Sequence, residues 1–249
     1  MDTPGIEALK AGDDPAPGLR ALLALAAPVR GRAAAWLKSR RIFRRTWEAH
    51  GLRVVDDYRA VSEGLRARFP LARLQAWGLL NPAGNLRCYR HTLLLPYFDQ
   101  GEPVSLQART LDPDVVPREL SLGPVTVPYN AALLDGTPGR LYLCEGAMDT
   151  LSLLEAGFPA VGIPDAADFK PSWTERFREK IVFVAFDADA AGEAGAARVI
   201  ALLAEGGVEA HRLQVPPGKD LNEWLRSGGL GIRLDAGEEP PARPGRRTP

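Results

Sequence analysis

The spacing of apolar positions changes twice along the chain. From residue 18 to residue 80 they recur at intervals of three and four, as in Leu19, Leu22, Leu23 and Ala26 and again in Trp36, Leu37, Ile42 and Trp47. That period predicts short amphipathic helices, punctuated by Gly51, Pro70 and Gly78. From Leu86 to Leu111 the runs LRCYRHTLLLPYF and PVSLQARTL are apolar and partly alternating, and Asp99-Gln100-Gly101 between them predicts a hairpin. After a looser stretch containing Pro113, Pro117, Pro124 and Pro128, strand and helix patterns alternate to about residue 228. Strands are predicted at RLYLC (140 to 144), PAVGI (159 to 163), KIVFVAF (180 to 186) and AHRLQV (210 to 215). The segments DTLSLLEAG, PSWTERFRE and GEAGAARVIALLAEGG between them each carry one apolar stripe. Continuously apolar strands separated by amphipathic helices predict a parallel sheet covered on both faces. The fold class is therefore α/β, preceded by a helical and hairpin α+β subdomain.

This pattern places two subdomains at residues 18–135 and 136–233. They are flanked by residues 1–17 and 234–249, which are rich in Gly, Pro and charged residues and are expected to be disordered. Nowhere do ~18 uncharged apolar residues run together, and the N-terminus lacks a basic-then-apolar signal. A soluble, cytoplasmic protein without a membrane partner is expected.

Composition is ordinary, 45% hydrophobic and 25% charged with no net charge, but the sign of the charge is divided along the chain. Residues 30 to 90, beginning with Arg30 and Arg32, hold fourteen Arg or Lys against four acids, Glu48, Asp56, Asp57 and Glu63. The remainder carries the opposite excess. A basic lobe joined to an acidic one suits a protein that holds a polyanion on one and metal ions on the other, although a solvated Arg-rich helical surface would look the same. Cys88 and Cys144 are far apart and have no Cys or His at zinc-site spacing, so neither a disulfide nor structural zinc is expected. His50, His91 and His211 are scattered single residues.

In open α/β sheets ligands bind beyond the carboxyl ends of the strands. There this chain places acids: RLYLC runs into Glu145-Gly146, and KIVFVAF runs into Asp187-Ala188-Asp189. Converging carboxylates suit hard divalent ions such as Mg2+, which take oxygen ligands and assist phosphoryl displacement. Helix N-capping accounts for an aspartate at one such position, but not for two alternating acids after one apolar strand and a third after another. Asp149, one helical turn past Glu145, is either a further member of the site or a first-turn acid favoured by the helix dipole. The run Asp220-Leu-Asn-Glu223 has the form of a capping box, which accounts for both acids without chemistry.

Three motifs together, Glu-Gly-x-x-Asp at Glu145 to Asp149, Asp-x-Asp-x-x-Gly at Asp187 to Gly192 and Pro-x-Gly-Lys-Asp at Pro216 to Asp220, resemble the Toprim domain. That domain is shared by DnaG-type primases, type IA and II topoisomerases, nucleases and recombination proteins. WLKSRRI near residue 36, Tyr89-Arg90 before LLLP, and Leu106 to Arg109 resemble the helical and hairpin segments of the bacterial primase catalytic core. The resemblance spans about residues 33 to 228 and implies a Toprim fold, a small parallel sheet with helices on both faces.

The resemblance implies that Glu145, Asp187 and Asp189 are catalytic, with the Asp-x-Asp pair binding Mg2+ or Mn2+, Glu145 moving a proton or joining them as a metal ligand, and Asp149 a further candidate metal ligand. It also implies that Arg90, Arg109 and Arg118 hold a nucleoside triphosphate or template. The expected activity is synthesis of short RNA primers on single-stranded DNA. The zinc-binding module that precedes such cores and the helicase-interaction domain that follows them are not recognisable here, so a helicase or a zinc-module protein acting in trans is the expected partner. Two alternatives use the same residues differently. One is a Toprim nuclease hydrolysing phosphodiesters, and the other a non-catalytic adaptor of a mobile element or repair system, binding nucleic acid through Arg40, Arg41, Arg44 and Arg45.

Overall fold

A computed structural model describes residues 14–136, 138–216 and 221–226. The chain divides into two compact units, Met1–Trp36 with Trp47–Val127, and Leu37–Thr46 with Pro128–Pro249. Most of the 1–17 segment and all of the 234–249 segment lie outside the described residues, as do residues 217–220 of the Pro-x-Gly-Lys-Asp motif, Asp220 included. Among the described residues no helix is long and apolar enough to cross a membrane.

In chain order the N-terminal half holds α1 (Ala16–Leu25), β1 (Ala27–Pro28), α2 (Gly31–Ser39), α3 (Arg44–Ala49), β2 (Arg53–Val54), α4 (Tyr58–Arg66) and α5 (Leu71–Ala76). Three strands follow, β3 (Leu93–Asp99), β4 (Glu102–Arg109) and β5 (Glu119–Leu122). The strands of the first unit form one antiparallel sheet in the order β1-β2-β3-β4-β5. The predicted hairpin is β3–β4. Asp99 pairs with Glu102, leaving Gln100 and Gly101 as a two-residue turn with φ of 48° and 84°, the left-handed pair whose twist matches the flanking strands. β1, β2 and β5 are additions to the expected hairpin. Two residues cannot display an alternating pattern, and β5 sits in the proline-rich stretch, where its pairing of Leu122 with Leu106 selects it. One face of the sheet is closed by helices: Leu19 and Leu22 of α1, Val61 and Leu65 of α4 and Leu74 of α5 share a buried cluster with Leu94, Leu106, Ala108 and Leu122.

The second unit contains β6 (Gly139–Glu145), α6 (Ala147–Glu155), β7 (Ala160–Ile163), β8 (Lys180–Ala185), α7 (Ala190–Glu205), β9 (Glu209–Arg212) and α8 (Leu221–Arg226). Its four strands are all parallel, in the order β7-β6-β8-β9. Tyr142, Cys144, Phe183 and Ala185 turn toward α6 and α8, sharing a core with Leu153, Phe158, Leu221 and Trp224. The pleat sends Leu141, Leu143, Val182 and Val184, all buried, to the other face, where α7 packs against the sheet. PSWTERFRE, read as helical, forms a tighter 3-10 helix at Pro171–Phe177. Its aromatic side chains hold it, with Phe169 5.9 Å from Trp173 and 5.8 Å from Phe177 between ring centres.

Strand order fixes where a ligand can sit. The chain leaves β6 through α6 to β7 on one side, then crosses back past β6 to β8 on the other. The loops leaving β6 and β8 thus run in opposite directions and open a crevice at the carboxyl ends of those neighbouring strands, the topological switch point of a doubly wound sheet.

Candidate functional site

Glu145 is the last residue of β6, and Asp187 and Asp189 follow β8, so all three lie on the two loops that border the switch point. Gly146 makes the exit from β6 possible: its φ of 96° turns the backbone directly into α6, a conformation that a side chain would strain. On the other loop Asp189 caps α7, its Oδ1 accepting the Gly192 N–H at 2.8 Å. A Cβ on Gly192 would stand 2.2 Å from the Asp187 carbonyl oxygen, so the absence of a side chain lets the helix start tuck against the aspartate loop. Capping and ligand roles are compatible for Asp189, because the cap engages one carboxylate oxygen.

Two arginines brace these loops from beneath. Arg212, with 12% of its side chain exposed, donates to the carbonyls of Val184 (3.0 Å), Phe186 (3.0 Å) and Asp187 (3.2 Å) and pairs with Glu193 at 2.6 Å. Arg198 donates to the Ala166 carbonyl at 2.7 Å and so braces the loop after β7.

That third loop brings an acid not singled out in the sequence. Glu145 is half-buried, and burial pushes its carboxyl above the ordinary value of 4.5; Asp165, Asp187 and Asp189 push it further, against an opposing hydrogen bond from the Ala166 backbone. Four carboxylates therefore share one electrostatic neighbourhood. Asp165 obeys the same rule that found the others, an acid past the end of an apolar strand, but Pro164 intervenes and hides it. Asp149 lies in the first turn of α6, and its charge acts on the buried Cys144 thiol, raising that pKa in concert with burial. Cys88 is likewise a buried free thiol, pushed up to about 12 by burial.

Among the described residues no three His, Cys, Asp or Glu side chains close into a cage able to hold an ion by themselves. The acids form an open set. Such a set fits Mg2+ or Mn2+, which use one or two carboxylates and complete their shell with water and substrate phosphate. The mutual repulsion that raises Glu145 is what a bound cation would relieve.

The arginines named from the resemblance sit in the first unit in different settings. Arg90 is exposed and lines an open cavity of about 500 Å3 together with Arg30, Arg32 and Tyr89, itself 56% exposed. Arg109 forms an ion pair with Glu119 and lies over the Trp36 ring, 5.2 Å from its centre, with only 13% of its side chain exposed. Arg118 is exposed on the approach to β5. Tyr89 stood out in the sequence only beside Arg90; that Tyr89 and Arg90 share a cavity with Arg30 and Arg32 was not legible there, because no periodic pattern links residues 30, 32, 89 and 90.

Residues 142–225, which include Glu145, Asp187 and Asp189, match the Toprim-like family model. The chain as a whole resembles the catalytic core of bacterial DnaG-type primases. It is 28% identical over 155 residues to a DNA primase of Clostridium acetobutylicum, a match covering 57% of this chain and 25% of that protein. Among solved structures, the zinc-binding and RNA polymerase domains of Aquifex aeolicus primase superpose with a TM-score of 0.72 at 19% identity, covering 92% of this chain and 61% of that one. The DnaG primase catalytic domain bound to single-stranded DNA gives 0.68 at 20% identity, covering 86% and 77%. At these identities the structural matches establish a shared fold, and the chain spans about a quarter of its curated relative.

Proposed function

We propose that this protein is a metal-dependent nucleotidyltransferase that synthesises short RNA primers on single-stranded DNA. The observation that carries the proposal is the gathering of Glu145, Asp187 and Asp189 at the switch point of a primase-core fold, close enough for the aspartates to raise the glutamate. Asp187 and Asp189 would hold Mg2+ or Mn2+, with Glu145 at the same edge. When bound, the ion supplies charge neutralisation to the triphosphate and to the developing pentavalent phosphorus.

The chain's own groups do the rest. The 3′-oxygen of one nucleotide attacks the α-phosphorus of the next, the bond to the β-phosphate oxygen breaks and pyrophosphate leaves. Glu145, ionised but with a raised pKa, takes the proton from the attacking hydroxyl; a base is most effective when its pKa approaches the working pH. In the first unit, Arg90 offers forked donors to phosphate and Tyr89 a stacking face, beside Arg32, which also donates to the Leu111 carbonyl, and Arg30, which pairs with Asp56. Arg118 adds an exposed cation, while Arg109 ties β4 to the edge strand β5 through Glu119 and to α2 through Trp36. A helicase or zinc-module protein in trans would supply template choice, and the reaction belongs in the cytoplasm.

The test is incubation with single-stranded DNA, labelled ribonucleotides and Mn2+. New oligoribonucleotides are expected, falling at least about 100-fold in Asp187→Asn, the scale of removing one electrostatic stabiliser of the reaction. Strand cleavage without synthesis would replace this reading with a nuclease. Neither activity, with any divalent ion, would overturn it.

A further inference from the structure

The turn that follows β7 is held more firmly than the closure of a loop requires. It is a short 3-10 turn, Ala166–Asp168, entered through Asp165, whose Oδ1 accepts the Ala167 N–H at 2.7 Å. The Ala166 carbonyl accepts twice, from the Phe169 N–H at 3.3 Å within the turn and from Arg198 Nη1 of α7 at 2.7 Å. The peptide group joining Ala166 to Ala167 is therefore fixed at both its N–H and its carbonyl. Three residues before Arg198, on the same face of α7, Gly195 lets the helix close on the turn. A Cβ there would stand 2.4 Å from Ala166 Cβ, which is bonded to the backbone and cannot swing aside. One helix thus holds one alanine by two contacts, Arg198 at its carbonyl and Gly195 at its methyl group.

The N–H on the other side of Ala166 donates to the Glu145 carboxylate. β6 and β7 pair in parallel with Glu145 opposite Ile163, so the strand register brings the two loops alongside. How far the turn stands from Glu145 is set by α7. That helix also starts at Asp189, whose carboxylate caps it. It therefore carries one acid of the site at its start and grips, through Gly195 and Arg198, the turn whose amide holds another. A glutamate side chain has several rotatable bonds before its carboxylate, and a fixed donor removes much of that freedom.

We propose that Gly195 and Arg198 are positioning residues for Glu145: by clamping Ala166 against α7 they aim its N–H at the Glu145 carboxylate and set the orientation of that carboxylate relative to Asp189. The proposal rests on the reading of Glu145 as a group of the reacting site, whereas the clamp itself needs neither metal nor substrate. If the clamp served only to hold the turn, the effect of loosening it would not depend on what stands at residue 145.

The experiment has a metal-free arm and a kinetic arm. In the first, hydrogen exchange of the Ala166 amide is followed by nuclear magnetic resonance without metal or nucleotides. Glu145→Ala, Gly195→Ala and Arg198→Met, each checked for folding by circular dichroism, are expected to speed exchange at least about 10-fold, equivalent to about 1.4 kcal/mol. Arg198→Lys, which retains a donor, is expected to recover part of the protection. Combining Glu145→Ala with Arg198→Met is expected to add nothing, because the amide has already lost its acceptor. In the second arm, primer synthesis with Mn2+, Gly195→Ala and Arg198→Met are expected to lower kcat about 10–100-fold with KM for nucleotide unchanged. Ala166 exchange unaffected by Glu145→Ala, or by both Gly195→Ala and Arg198→Met, would overturn the proposal. So would additive effects in the double variant, or a raised KM with kcat unchanged. Coupled exchange in a wild-type protein that makes no primers would uphold the clamp and overturn the primer-synthesis reading alone; primer synthesis with uncoupled exchange would overturn the clamp alone.

Discussion

Glu145 is the residue on which the chemistry of the site turns. Its carboxyl is raised above 4.5 by burial and by three neighbouring aspartates, so in the absence of a cation its ionised form is disfavoured by the fold. A raised folded-state pKa makes that penalty largest above the folded pKa and removes it as pH falls through that value toward 4.5. Glu145→Gln is accordingly expected to melt above wild type near pH 7.5 without metal, with the gap shrinking on acidification to pH 5. Thermal melts at both pH values measure this, and a gap that stays constant would contradict it. Glu145 and Asp187 could be read from the sequence because each directly follows an unbroken apolar run, ending at Cys144 and at Phe186. Asp165 could not, because Pro164 separates it from β7 and only the strand order places β7 beside β6. Arg109 could be read as a basic residue of the hairpin, but its engagement by Glu119 depends on β5, which the proline-rich pattern concealed.

At the scale of elements, the geometry of the site depends on how α7 begins and on what supports β8. Gly192→Ala would drive a Cβ into the Asp187 carbonyl, 2.2 Å away, where backbone cannot yield cheaply. The expected cost is about 1–3 kcal/mol, read as a lower melting temperature with a further loss of activity; an unchanged melting temperature would contradict it. Arg212→Lys keeps a charge near Glu193 but loses the fork that reaches the Val184, Phe186 and Asp187 carbonyls around the aspartate loop. Activity is expected to fall about 10–100-fold, as when the outer support of a metal ligand is lost, with strand binding unchanged. The alternating strands and amphipathic helices of the second unit were legible because each was long enough to show its period. The two-residue strands β1 and β2 exist only through their pairing with the hairpin, and the tight turn of Pro171–Phe177 reflects aromatic packing rather than a change in apolar period.

For the whole molecule, the charge division seen in the sequence is distributed over two units. An antiparallel-sheet unit carries the cavity lined by Arg30, Arg32, Tyr89 and Arg90, and a parallel-sheet unit carries the acids. One basic stretch, residues 37–46, belongs with the acidic unit, which linear charge counting could not reveal. Mn2+ titration followed by electron paramagnetic resonance tests most directly whether the acids of the second unit act together as a divalent-cation site. Wild-type protein is expected to remove free Mn2+ from solution, with affinity reduced at least about 10-fold in Glu145→Gln and in Asp187→Asn, both folded. Equal Mn2+ affinity in all three proteins would contradict it.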